Sequence, residues 1–260
     1  MANIYQELPK VLERFPNLQH LRVDRVPSLE GNGRPLVWKA ISKFLHLNSP
    51  DNLESMIMHS FFVKRQWHIN YPKLSSLIQK LRYFSYNSYN GRDTHNDVLQ
   101  LLQCGENLRR VKLFGIRFDS DGCSDLVHPK APLQRLLVAK GTLPASYLES
   151  LANFRRTLKE VDLCSVELTV GTWRTVLGQF VSGFDSLINL ELRYSALNSD
   201  ASDLYEQCSA QVKQRRKRLG LEEKVLVDLS CLGCPGCPGC PDRLTGAAMY
   251  QISINVLDNS

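Results

Sequence analysis

A chain of 260 residues with 43% hydrophobic and 22% charged residues has the make-up of a folded protein, which excludes disorder for most of its length. The formal net charge of +6 is mild, and KQRRKR at 213–218 alone supplies five positive charges, so the basic total singles out no class of partner. No run approaches the roughly 18 apolar residues of a membrane helix, and the opening MANIYQELPKVLERF lacks a signal-peptide core; a cytoplasmic or nuclear location and no membrane partner are expected.

Residues 7–17 place Leu8, Val11, Leu12 and Phe15 at helical spacing and stop at Pro16, which predicts a helix. It runs into LQHLRV, where Leu18, Leu21 and Val23 form the pattern L-x-x-L-x-L. Pro27, Gly31, Gly33 and Pro35 mark a loop, and Trp38, Ile41 and Phe44 a helical face beyond it. The hexad then recurs as LESMIM from Leu53, LRYFSY from Leu81, LRRVKL from Leu108, LQRLLV from Leu133, LKEVDL from Leu158 and LINLEL from Leu187. SSLIQKL, NDVLQLLQCGENL, ASYLESLANFRRTL and WRTVLGQF lie between hexads with apolar residues three or four apart, so each repeat is expected to be a strand plus a helix.

The first leucines are spaced 35, 28, 27, 25, 25 and 29 residues apart, close to the roughly 20–29-residue period of leucine-rich repeats. The apolar pair closing each hexad alternates, as a strand buried on one side requires. Strands joined through helices run parallel, so the expected fold over 1–198 is an α/β leucine-rich-repeat solenoid with a parallel concave sheet and convex helices. Trp38 and Trp173 are read as core indoles between helix and strand.

The residues between the apolar places of each hexad face away from the core. They put His20 and Arg22 on the first strand, Tyr83 on the third, and Arg110, Lys112 and Phe114 on the fourth. Arg135 follows on the fifth, Glu160 and Asp162 on the sixth, and Glu191 and Arg193 on the seventh. Arg110, Lys112 and Arg135 form a basic centre and Glu160, Asp162 and Glu191 an acidic end. That segregation reads either as solvated charge or as a two-signed docking surface anchored by Tyr83 and Phe114, for a peptide or a small domain.

Residues 199–230 are expected to hold a polar helix and a last strand, VLVDLS. KQRRKR within the helix reads as a solvated helix end or as a nuclear-localisation or phosphate-binding run. No aromatic residues are interleaved with it, so nucleic acid is not the expected partner. In the 231–249 loop, Cys231, Cys234, Cys237 and Cys240 stand at C-x-x-C spacing. Four thiolates could ligate zinc or an iron–sulfur cluster, but the run is also a Gly-Cys-Pro expansion in which proline follows three of the four cysteines. No cofactor is therefore assigned. Residues 250–260 hold YQISINV, an alternating strand that could cap the solenoid.

The stretch LESLANFRRTLKEVDLCSVELTVGTWRTVLGQFVSGFDSLINLEL resembles the repeat region of fungal F-box proteins, with a TLKEL-type strand, a G-x-W helix and a second hexad in that order. LPKVLERFPNLQHLRV is similar to their early repeats, and the likeness covers roughly 7–200. It implies the substrate-recognition arm of a cullin-type ubiquitin ligase. The F-box segment itself has no candidate in this chain, so a Skp1-type adaptor is an expected partner only where an F-box is supplied upstream. The chain has no G-x-S-x-G, H-E-x-x-H or G-x-x-x-x-G-K-[ST] motif, and no catalytic residue is assigned. The expectation is a protein-interaction module, with a metal or redox protein built on the cysteine run as its alternative.

Overall fold

In the computed structural model the described residues are 18–23, 52–59, 71–88, 96–119, 125–195, 197 and 199–221. Each hexad forms a strand: β1 (His20–Val23), β2 (Ser55–His59), β3 (Tyr83–Asn87), β4 (Arg110–Phe114), β5 (Arg135–Ala139), β7 (Glu160–Cys164) and β9 (Asn189–Arg193). They build one seven-stranded parallel sheet in the order β1-β2-β3-β4-β5-β7-β9, and every hexad pairs with the next in the same register. β6 (Thr142–Leu143) and β8 (Glu167–Leu168) pair as a separate small parallel sheet.

The hexad leucines cause this regularity. Leu18, Leu81, Leu108, Leu133 and Leu158 have no exposed surface, Leu53 is buried with them, and the alternating apolar places, such as Val161 with Leu163 and Leu136 with Val138, are equally enclosed. They share one core with α1 (Tyr71–Lys80), α2 (Asn96–Cys104), α3 (Ala145–Glu149) and α4 (Trp173–Gly183). Trp173 opens α4 and is buried as expected, and the Thr172 side chain caps that helix by accepting from the Thr175 N–H at 3.3 Å.

The second residue of each hexad but the last has a duty that the L-x-x-L-x-L pattern does not announce. Its carbonyl accepts two backbone N–H groups from the next repeat: Gln19 O from Glu54 and Ser55, and so on through Lys159 O, which accepts from Ile188 at 2.8 Å and Asn189 at 3.0 Å. The turn after the strands repeats as well. Gly115, Lys140, Ser165 and Tyr194 each follow a strand and each adopt a left-handed φ of 51–63°.

The connections are less uniform than expected. The described residues between β4 and β5 form turns, and Leu126, Val127 and Ala131 are buried without a helix to carry them. Hydrogen bonds from the His128 N–H to Leu102 O and from the Gln103 amide to Asp125 O tie this passage to α2. The single helix expected across 145–158 is instead the short α3, a 3-10 turn at Ser150–Phe154 and further turns.

The C-terminal helix α5 (Ser199–Arg218) covers the end of the core. Ala201, Cys208 and Val212 are buried along one stripe that packs on α4, with Leu204 and Tyr205 partly buried beside them. The expectation of a solvated KQRRKR helix end is corrected at two positions. Arg215 donates to Leu187 O, and Arg216 donates at 3.4 Å to Ile188 O, the carbonyl that in every earlier described repeat serves the next strand. The two guanidinium groups take the place that the next strand's N–H groups hold in the earlier described repeats, whereas Lys213, Lys217 and Arg218 are exposed. Arg215→Ala combined with Arg216→Ala is expected to cost about 1–3 kcal/mol, since those carbonyls lose charged donors at a part-buried edge. Chemical denaturation measures it, and Lys217→Ala with Arg218→Ala should leave stability within about 0.5 kcal/mol.

Cys208 donates to Leu177 O at 3.6 Å, and burial pushes its thiol pKa up to about 11 from 9.0, outweighing a backbone hydrogen bond that lowers it. The folded state favours the neutral thiol, so its contribution is complete below pH 9 and fades as pH climbs towards 11, where the unfolded chain ionises first. Stability measured across that window should fall less steeply for Cys208→Ala; parallel curves would remove the thiol as the cause.

Among the described residues no helix is long and apolar enough to cross a membrane. The helices expected at 7–17 and around Trp38, the strands expected at 225–230 and 250–256, and Cys231, Cys234, Cys237 and Cys240 lie outside the described residues.

Candidate functional site

Alternate residues of the strands point away from the shared core and, apart from the buried Ser55 and Ser85, are half-buried or exposed, in the pattern that β5 and β7 repeat. Parallel sheets normally have both faces covered. Here no described element lies over the face opposite the helices, and its residues form three rows across the sheet.

The first row runs His20, Ser55, Tyr83, Arg110, Arg135, Glu160, Asn189, and the second runs Arg22, Ile57, Ser85, Lys112, Leu137, Asp162, Glu191. The third passes from Asn87 through Phe114, Ala139 and Cys164 to Arg193. All the residues expected on this surface therefore share one face, but not one cluster. His20 and Arg22 are on β1, three strands and about 14 Å from β4.

Pairing within the sheet revises the two-signed charge pattern. Arg135 Nε lies 3.2 Å from Glu160 Oε2, its register partner, so the basic centre and the acidic end are joined where they meet. Asp162 and Glu191 are also register partners, an arrangement of like charges that would repel. Arg193 resolves it, with Nη2 at 3.0 Å from Asp162 and Nε at 3.3 Å from Glu191. Burial alone would lower the Arg193 pKa, but Asp162 and then Glu191 outweigh it and hold the pKa above its ordinary value.

All three carboxylates are thus engaged. Arg110, exposed, and Lys112, half-buried, have no ion pair among the described residues. They stand two residues apart on β4 with Phe114 next in the same alternation, and Lys140 Nζ lies 5.4 Å from the Phe114 ring centre. Apolar Leu137 and Ala139 adjoin on β5. Asn87, beside Phe114 in register, has an enclosed side-chain oxygen with no hydrogen-bond partner.

Lys140 and Tyr194 were not among the expected site residues, because they follow the hexads. The seventh position after each first leucine is the signal that would have found them. Tyr194 is 88% exposed at the rim of the last described strand. Among the described residues no three His, Cys, Asp or Glu side chains converge in a way that could hold a metal ion. No family model matches the chain, and neither does any curated protein or solved structure.

Proposed function

We propose that the chain is a leucine-rich-repeat solenoid whose concave sheet recognises a protein partner, in the manner of the substrate-recognition part of an F-box protein. The observation that carries this reading is the parallel sheet with one face free of any described element and furnished with arginine, lysine and aromatic side chains. Arginine and aromatic side chains such as tyrosine dominate the energetics of protein interfaces. Seven strands at roughly 4.8 Å give a face about 30 Å across, enough for a peptide or one side of a small domain.

The recognition step is binding, without a chemical step assigned to any residue. Entry into a cullin-type ligase requires an F-box joined to the repeats, and co-purification with a Skp1-type adaptor measures that separately. The compartments that fit this role are the cytoplasm and the nucleus.

The test is a display selection on the immobilised full chain. Leu137→Arg on the free face should abolish capture of the selected binders, whereas Arg156→Glu and Asp185→Lys, both outside that face, should leave it intact. Binders indifferent to Leu137→Arg would sink the reading, provided that the variant melts as the native chain does.

A further inference from the structure

Charge on the free face is unevenly satisfied. Glu160, Asp162 and Glu191 are met by Arg135 and Arg193, whereas Arg110 and Lys112 face outward with no carboxylate in reach among the described residues. We propose that the strip formed by β3, β4 and β5 binds an extended acidic segment of a partner protein. Its carboxylates meet Arg110 and Lys112, and an apolar side chain two residues further on lies against Phe114 and Leu137. The inference rests on the recognition reading above and adds the chemistry of the partner.

Three observations point the same way. Charge complementarity selects an anion, because the two cations without a partner are neighbours on one strand. Spacing selects an extended chain: Arg110, Lys112 and Phe114 alternate along β4 at about 6.6 Å per step, the distance between side chains on one side of an extended peptide. Finally, from β5 to β9 the face sets the three carboxylates Glu160, Asp162 and Glu191 against the two arginines Arg135 and Arg193, and this excess of negative charge disfavours the same segment there and holds it on β3 to β5.

The experiment is a random nonapeptide display selection against the full chain at 0.15 M NaCl, followed by affinity measurements on the enriched peptides. Enrichment of Asp or Glu at positions two apart, followed by an apolar residue, is expected. Arg110→Glu with Lys112→Glu should weaken these peptides at least about tenfold at an unchanged melting temperature, and rising salt should weaken them as well. The same double variant should gain affinity for the peptides remade with lysine at the acidic positions. Arg110→Gln with Lys112→Gln serves should the reversal disturb folding.

Neutral or basic peptides that are lost with Leu137→Arg but indifferent to both double variants would overturn the acidic segment and leave recognition by the free face standing. Peptides indifferent to every free-face substitution, or no enriched peptides at all, would overturn both. Capture of single-stranded RNA through Arg110 and Lys112 in place of acidic peptides would overturn the protein-partner assignment.

Discussion

Replacing Leu163 with aspartate is expected to abolish cooperative unfolding of the sheet from β5 to β9. Leu163 has no exposed surface and stands in register between Val138 and Leu192, so its side chain fills the layer shared by three strands. Removing it forfeits about 1.5–3 kcal/mol of apolar burial, and a carboxyl group left in its place lacks any partner and costs several kcal/mol more. A domain has only about 5–15 kcal/mol to lose. Hydrogen exchange should show protection collapsing in β5, β7 and β9 first, because each strand's backbone groups depend on its neighbours. Leu163→Met, which nearly conserves volume, should cost under about 1.5 kcal/mol. A Leu163→Asp variant that melts like the native chain would show that this layer is not the core.

Gly115→Ala should be the most damaging change of a single methyl group in the turns. Gly115 has φ 63°, and a Cβ built there would lie 2.2 Å from the Ser88 carbonyl oxygen. That oxygen belongs to backbone whose own N–H donates to Phe114 O, so it cannot retreat without disturbing the β3–β4 ladder. The left-handed conformation and the overlap together imply a loss of about 3 kcal/mol, or roughly 6–12 °C in melting temperature for a domain of this size. The equivalent left-handed position at the C-terminal edge behaves oppositely. Tyr194→Gly removes an exposed side chain from the same conformation and should be neutral or stabilising by up to about 1 kcal/mol. A calorimetric comparison of the two variants checks both signs, and an unaltered melting temperature for Gly115→Ala would contradict the crowding at Ser88.

Strand positions and their inward faces were legible because they depend on a local property. A leucine every second or third place within six residues defines which side of a strand is buried, and Leu108, Val111 and Leu113 carry that information whatever surrounds them. The candidate face follows from the same alternation, which sets Arg110, Lys112 and Phe114 on one side of β4, with Tyr83 on β3 as the register partner of Arg110.

The connections were less legible. The buried residues at 126–131 have no helical period, since they are held by α2 and by the Ser150 side chain, groups more than 20 residues distant. KQRRKR looked like a solvated run because nothing within six residues of it shows that Leu187 and Ile188 carbonyls lie in reach. The charge segregation along the strands was visible, but its cancellation was not: Arg193 meets Asp162 from 31 positions away, across a strand boundary.

The sequence by itself determined that seven short strands recur at a near-constant interval, with one side apolar and the other carrying charge and aromatic groups, because that pattern is written in side chains a few residues apart. Only the tertiary structure decided which charges are spent on each other and which remain, how the last described repeat is closed by two arginines, and why one turn demands glycine. Those outcomes turn on distances of about three ångströms between groups 20 or more residues apart, and residue order does not contain them until the chain has stacked.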